Sequence, residues 1–151
     1  MKIYLQRVML VLLFSGFFSS AFAAGDLSKQ APIEINVALG DKNKAMSFTP
    51  SLLEFETGKL YKLIIENKGL TKHYFSSNGL AQAVYTRKVQ INNHEGKPMA
   101  EVKGSINEIE VYPGYKAEWW FVPVKAGVFG DLRCSISGHT EAGMVGKIII
   151  K

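Results

Sequence analysis

The sequence predicts an all-β domain, a sandwich or barrel of antiparallel strands into which one short helix is inserted. Several short segments alternate apolar with more polar residues, which is the period of a half-buried strand. Turn signals such as Asn67-Lys68-Gly69 and Pro113-Gly114 separate these segments. Short alternating strands at this spacing are typical of two packed sheets.

The strands are placed by this alternation, and the stretch 92–98 between them is polar enough to be an exposed loop. In chain order, strands are predicted over residues 33–39, 52–56, 61–65, 109–111, 117–121, 128–134 and 145–150.

One stretch, residues 79–89, departs from the alternating pattern. Its apolar and basic residues recur at helical spacing, namely at Leu80, Ala83, Val84 and Arg87. Ser77 or Asn78 precedes it as a possible N-cap, and Arg87 and Lys88 near its end suit the negative end of a helix dipole. A short helix is therefore predicted between strands.

The first residues, 1–23, have the features of an export signal. Lys2 and Arg7 give a basic start, residues 8–18 are uncharged and apolar, and Ala21-Phe22-Ala23 supplies small residues at the cleavage positions. We expect cleavage after Ala23, which leaves a chain that does not span the membrane, in the periplasm or another exported location. Residues 24–151 have the length of one domain.

Charge and cysteine content narrow the function classes. The net charge of +5 includes Lys2 and Arg7, so the remaining domain carries +3, and no dense basic stripe interleaved with aromatic residues indicates nucleic-acid binding. Cys134 is the only cysteine, which excludes an internal disulfide. A lone thiol in an oxidising compartment is either buried and inert or occupied, for example by a metal.

The segment from Cys134 to Met144 carries the strongest functional signal. Cys134, His139 and Met144 are spaced five residues apart, which suits neither one face of a helix nor one face of a strand. Gly138 and Gly143 precede two of them and permit the tight turns of a loop that wraps around a point. Thiolate and thioether with imidazole select copper, and a blue-copper site needs two His, one Cys and a weak axial Met.

The second imidazole has two candidates. His73 follows a predicted strand and its turn, whereas His94 lies in a polar run that is typical of a solvated loop. His73 is the better candidate. Taken alone, Cys134 could be a small buried hydrophobic residue and Met144 ordinary core packing; their shared loop with His139 favours the ligand interpretation.

Residues 128–151 resemble the C-terminal end of the cupredoxins, the small blue copper proteins. The pattern Cys-x-Ile-x-Gly-His-x-x-x-Gly-Met is most similar to the rusticyanin-like branch, and the order His, then Cys-His-Met, extends the resemblance over most of the domain. The resemblance implies a Greek-key β-sandwich and one type 1 copper ion held by His73, Cys134, His139 and Met144. Family members often have Asn or Ser after the first histidine, where this chain has Tyr74.

The resemblance also implies a function. We expect a monomeric carrier that passes single electrons between redox partner proteins, with His139 in an apolar surface patch as the point where electrons enter or leave. The alternatives are a periplasmic protein for copper resistance, storage or delivery without electron transfer, and a module that binds a partner through an empty site. An enzyme is not expected, because the copper oxidases need a second cysteine or more than three histidines.

Overall fold

The computed structural model describes residues 25–43 and 45–151, so the predicted export signal lies outside the described residues. A single 3-10 turn, Leu27–Lys29, precedes the strands in this part of the chain. The further elements are β1 (Ile33–Leu39), β2 (Phe48–Thr49), β3 (Leu52–Phe55), β4 (Tyr61–Asn67), β5 (His73–Ser76), α1 (Asn78–Ala83), β6 (Val84–Asn92), β7 (Pro98–Val102), β8 (Glu108–Val111), β9 (Lys116–Pro123), β10 (Gly127–Arg133) and β11 (Val145–Ile150).

The strands form two sheets, which confirms the predicted all-β sandwich with one short helix. One sheet has the order β2-β1-β4-β9-β6-β7 and the other β3-β11-β10-β5-β8. Most neighbours are antiparallel, as predicted, but β1 pairs with β4 and β3 pairs with β11 in parallel. The predicted antiparallel direction does not hold at these two pairs, because strand direction follows from long-range pairing that residue alternation does not report.

The core lies between the two sheets and is rich in aromatic rings. Trp119 and Phe121 from β9 pack edge-on against one another, and Phe75 from β5 meets Trp119 across the sandwich. All three side chains are at most 1% exposed. Fully burying one large apolar side chain contributes about 1.5–3 kcal/mol, so this cluster is a main source of stability.

The predicted helix over 79–89 is shorter in the structure. It begins with Ser77 as its N-cap and ends at Ala83, after which Val84 starts strand β6. The Ala83 carbonyl accepts from the backbone N–H groups of Val124 and Lys125, and β6 pairs along β9. Arg87 therefore lies in a strand and not at a helix end. The sheet pairing overrides the helical spacing of residues 84–89.

Several strand ends meet at one end of the sandwich. His73 at the start of β5 is opposite Val111 at the end of β8, and Asn67 at the end of β4 is opposite Leu39 at the end of β1. In the same sheet as β5 and β8, Arg133 at the end of β10 is opposite Val145 at the start of β11. The loop that follows β10 and the loop that precedes β5 are consequently neighbours.

Among the described residues, no helix is long and apolar enough to cross a membrane.

Replacing Ser77 by alanine tests the helix start. The Ser77 hydroxyl accepts from the Leu80 N–H and donates to the Asp131 carboxylate, and Ser77 is 1% exposed. We expect Ser77→Ala to lower the free energy of unfolding by about 1–2 kcal/mol, since a cap and a buried hydrogen bond are lost. Urea unfolding measures the change. The exposed Ser51→Ala is the control, and an equal loss in both variants would contradict the assignment.

Candidate metal centre

The four predicted ligand residues lie at the sheet end described above. His73 is the first residue of β5, Cys134 directly follows β10 and Met144 directly precedes β11, with His139 in the loop between them. In β5 the alternate residues His73 and Phe75 are both buried and face the interior, so the strand itself turns the His73 imidazole inward. The cluster is therefore built at one end of a single sheet, from its neighbouring strands β11, β10 and β5.

The side-chain donors converge. Cys134 Sγ lies 3.3 Å from His139 Nδ1 and 4.0 Å from His73 Nδ1. One donor atom from each of these three residues lies within 4.8 Å of the other two. The two imidazole rings are 5.1 Å apart between centroids. Two ring nitrogens and one sulfur therefore surround a single point.

Backbone hydrogen bonds close the loop between β10 and β11. The Cys134 N–H donates to the Met144 carbonyl at 3.1 Å, and the Met144 N–H donates to the His139 carbonyl at 2.9 Å. The Thr140 hydroxyl donates to the Cys134 carbonyl at 2.9 Å. The three loop residues predicted as ligands are therefore tied to one another through the main chain.

The two glycines of the loop adopt the conformation that the sequence suggested. Gly138 has φ +85° and Gly143 has φ +95°, a region that residues with a Cβ rarely adopt. The Gly143 N–H donates to the Thr140 carbonyl, and the Ala142 N–H to the Gly138 carbonyl. Two left-handed turns therefore let an eleven-residue segment from Cys134 to Met144 return to its starting strand.

Three of the four side chains are shielded from solvent. His73, Cys134 and Met144 are each 0% exposed, whereas His139 is half-buried. Burial lowers the pKa of the His73 imidazole below its usual value, and the nearby His139 lowers it further because two protonated rings would repel each other. A neutral imidazole is the form that binds a metal ion.

The backbone of Tyr74 links the two ligand-bearing segments. Its N–H donates to Cys134 Sγ at 3.3 Å, a contact that the sequence did not predict. The Tyr74 side chain faces away from the cluster and its phenol donates to Glu110, which raises the pKa of Tyr74. The strand pairing thus supplies a hydrogen bond to the sulfur although the residue after His73 is not Asn or Ser.

His94 does not join the cluster. It is exposed, and its ring lies 4.0 Å between centroids from that of Tyr115. The structure therefore brings His73 rather than His94 to Cys134 and His139. That these residues bind a metal stays a prediction, but the donor set fits a single type 1 copper ion, since it combines two imidazoles, a thiolate and a nearby thioether.

Sequence reasoning missed three residues beside His73, namely Gly40, Asn67 and Gly69. A Cβ at Gly69 would lie 3.0 Å from His73 Nε2, and one at Gly40 would lie 3.1 Å from it. The Asn67 side chain is buried and bonds to the same loop. The turn signal Asn67-Lys68-Gly69 marked this position in the sequence, but nothing there indicated contact with the ring.

No protein-family model matches the chain, but two known proteins of similar sequence bear the name of a cuproprotein. The chain is 28% identical over 130 residues to the copper-resistant cuproprotein CopI of Rubrivivax gelatinosus, covering 84% of this chain and 71% of that protein. It is 26% identical over 155 residues to the protein of the same name from Pseudomonas aeruginosa, covering 87% and 83%.

Solved structures of similar fold are of two kinds. Auracyanin A, a "blue" copper protein of Chloroflexus aurantiacus, is 14% identical with a TM-score of 0.50, covering 80% of this chain and 100% of that one. The McoA multicopper oxidase of Aquifex aeolicus is 14% identical with a TM-score of 0.58 over 81% of this chain. This chain spans 30% of that oxidase. Both similarities concern the fold.

The burial of His73 predicts a pH dependence of the metal-free protein. Below the ordinary pKa of 6.5 the unfolded chain binds a proton at this ring that the folded chain does not. We expect the free energy of unfolding to fall as the pH drops from 6.5 to the lower pKa of the folded protein. The total loss is about 1.4 kcal/mol for each pH unit that separates the two pKa values.

Urea unfolding of metal-free protein between about pH 5 and pH 8 measures this slope. His73→Gln removes the titrating ring, so its slope below pH 6.5 is expected to be flatter. The exposed His94→Gln is the control and should keep the wild-type slope. Equal slopes in the wild type and His73→Gln would contradict the prediction.

Proposed function

Since the chain has a cupredoxin fold, we propose that it holds one copper ion at His73, Cys134, His139 and Met144 and carries single electrons in an exported compartment. The observation that carries the proposal is the prearranged cluster in which Cys134 Sγ lies 3.3 and 4.0 Å from two imidazole nitrogens. Such a donor set suits a type 1 site. We infer a carrier rather than an enzyme, because one cysteine and three histidines are too few for the oxidase centres.

The protein fixes the positions of the ligand side chains and excludes water from such a site. When bound, copper supplies the one-electron redox chemistry, and the surrounding residues determine the geometry and the potential. The main-chain bonds between Cys134, His139 and Met144 hold the loop in place without a metal. A site whose ligands are already held needs little rearrangement between oxidation states, which favours rapid electron transfer.

His139 is the ligand candidate that a redox partner would contact. It is half-buried, while the other three are fully buried. Two apolar residues close to it in the chain are exposed as well, Ala142 on the loop and Val145, which is 45% exposed, at the start of β11. A small apolar surface around a ligand allows a partner protein to approach closely and to leave again.

Copper resistance is the second candidate function, and a separate observation favours it. The two curated relatives that match most of the chain are both named copper-resistant cuproproteins. Resistance requires that the protein binds copper in the exported compartment, and the same cluster would serve. The two functions differ in whether the bound ion has to exchange electrons with a partner.

Titration of metal-free protein with Cu(II) tests the copper site. We expect one equivalent to bind with an intense visible thiolate-to-copper band, and to raise the free energy of unfolding by about 4 kcal/mol at free copper about 1,000-fold above the Kd. Cys134→Ser should abolish the band, since the thiolate is its source. Val128→Ser on the exposed face of β10 is the control. A wild-type protein without the band would contradict the proposal.

The Met144→Leu variant tests the thioether ligand, and a complementation assay separates the two functions. Removing the thioether should raise the midpoint potential, because Cu(II) loses a donor while the site stays buried. In a strain that lacks the protein, an electron carrier predicts impaired respiration, whereas a resistance protein predicts copper sensitivity that the wild type rescues and Cys134→Ser does not. Copper sensitivity with normal respiration would overturn the electron-carrier proposal in favour of resistance.

A further inference from the structure

The His73 imidazole is oriented without a hydrogen bond to its outer nitrogen. Ligand histidines usually donate their second ring N–H to a carboxylate, a carbonyl or water, which fixes the ring. Here His73 Nε2 is buried and has no hydrogen-bond partner in the part of the chain that the structure describes. Some other feature must therefore hold the ring with Nδ1 toward Cys134.

Two glycines enclose the outer edge of the ring. A Cβ added at Gly69 would lie 3.0 Å from His73 Nε2 and 3.5 Å from Cδ2, and one added at Gly40 would lie 3.1 Å from Nε2. The two distances to Nε2 are shorter than ordinary van der Waals contact. The main chain at these two positions therefore forms a slot that fits the imidazole only because neither residue has a side chain.

Asn67 fixes one wall of this slot. Its Oδ1 accepts from the Gly69 N–H at 2.9 Å, and its Nδ2 donates to the Thr71 carbonyl at 2.8 Å and to the Val111 carbonyl at 2.7 Å. The side chain is 0% exposed, so these bonds do not compete with water. One amide thus ties together the segment that leads into His73 and the strand opposite it.

The main chain of this segment is anchored as well. The Asn67 N–H donates to the Tyr115 carbonyl, and its own carbonyl accepts from the Gly114 N–H. The Leu39 carbonyl accepts from the N–H groups of Lys68 and Gly69 at 3.1 and 3.2 Å. Gly69 is consequently held against β1, directly beside Gly40.

We propose that Asn67 is the positioning residue of the candidate copper site: it holds Gly69 against the His73 ring, and this contact aims Nδ1 at Cys134. The inference rests on the proposed copper site. Asn67 ties the segment before His73 to β8, whereas the Tyr74 N–H links the two ligand-bearing segments through Cys134 Sγ.

Two variants test the proposal from opposite sides. Asn67→Ala removes the three side-chain hydrogen bonds and leaves Gly69 held only by its main-chain bond to Leu39. Gly69→Ala keeps those bonds but places a methyl group against the ring. In each folded variant we expect Cu(II) affinity to fall by about 10- to 100-fold, as for other residues that orient metal ligands, with a shifted thiolate-to-copper band.

Matched controls separate orientation from stability. Asn92 is also buried and bonds to Gln90 and Glu118, but it does not contact the cluster, so Asn92→Ala should lower stability without changing the band. Gly130 lies in β10 with nothing near its added Cβ, so Gly130→Ala is the control for Gly69→Ala. Affinity and spectrum should match the wild type in both.

A readout without metal completes the test. In metal-free protein, the ring signals of His73 in an NMR spectrum should shift in Asn67→Ala and Gly69→Ala and stay unchanged in the two controls. If Asn67→Ala does not fold, Gly69→Ala decides. Unchanged affinity, band and ring signals in the folded variants would overturn the positioning role while the copper site stands. A wild-type protein that binds no copper would instead overturn the proposed function.

Discussion

The pairing of β10 with β11 holds Cys134 and Met144 next to each other, and the candidate centre depends on this constraint. The loop between the two strands returns through two left-handed glycines, and the Cys134 N–H donates directly to the Met144 carbonyl. His139 lies on the same closed loop. Three donors are therefore positioned by main-chain bonds that exist without a metal. The conformational entropy of the loop is lost when the protein folds, so metal binding does not have to compensate for it.

The fourth donor, His73, comes from β5, the neighbour of β10 in the same sheet, and its position depends on burial. β5 turns His73 inward, and the ring lies against Gly69 in the preceding loop and Gly40 directly after β1. A buried imidazole without a partner at Nε2 is costly in the folded state. The ring is nevertheless kept in this position by the hydrogen bonds of Asn67 and by the one from the Tyr74 N–H to Cys134 Sγ.

The nearby charges are compensated close to the site. The Lys72 ammonium pairs with the Glu110 carboxylate at 2.8 Å, and Glu110 also accepts from the Tyr74 phenol, so the pKa of Glu110 is lowered. The positive charge next to His73 in the sequence therefore acts on the site as part of a neutral pair. The reduction potential of a copper ion bound there would therefore depend mainly on the donor atoms, their burial and the hydrogen bond to the sulfur.

The sequence by itself determined the chemistry of the ligand loop and the fold class, because Cys134, His139 and Met144 lie within one local segment and alternation is visible along each strand. It also indicated His73 through the turn before it. The end of α1 at Ala83, the parallel pairs and the slot around His73 were decided by tertiary structure alone. Asn67 bonds to Val111, 44 residues away, and Tyr74 to Cys134, 60 residues away. Contacts at such separations depend on which strands become neighbours, and local spacing carries no record of that choice.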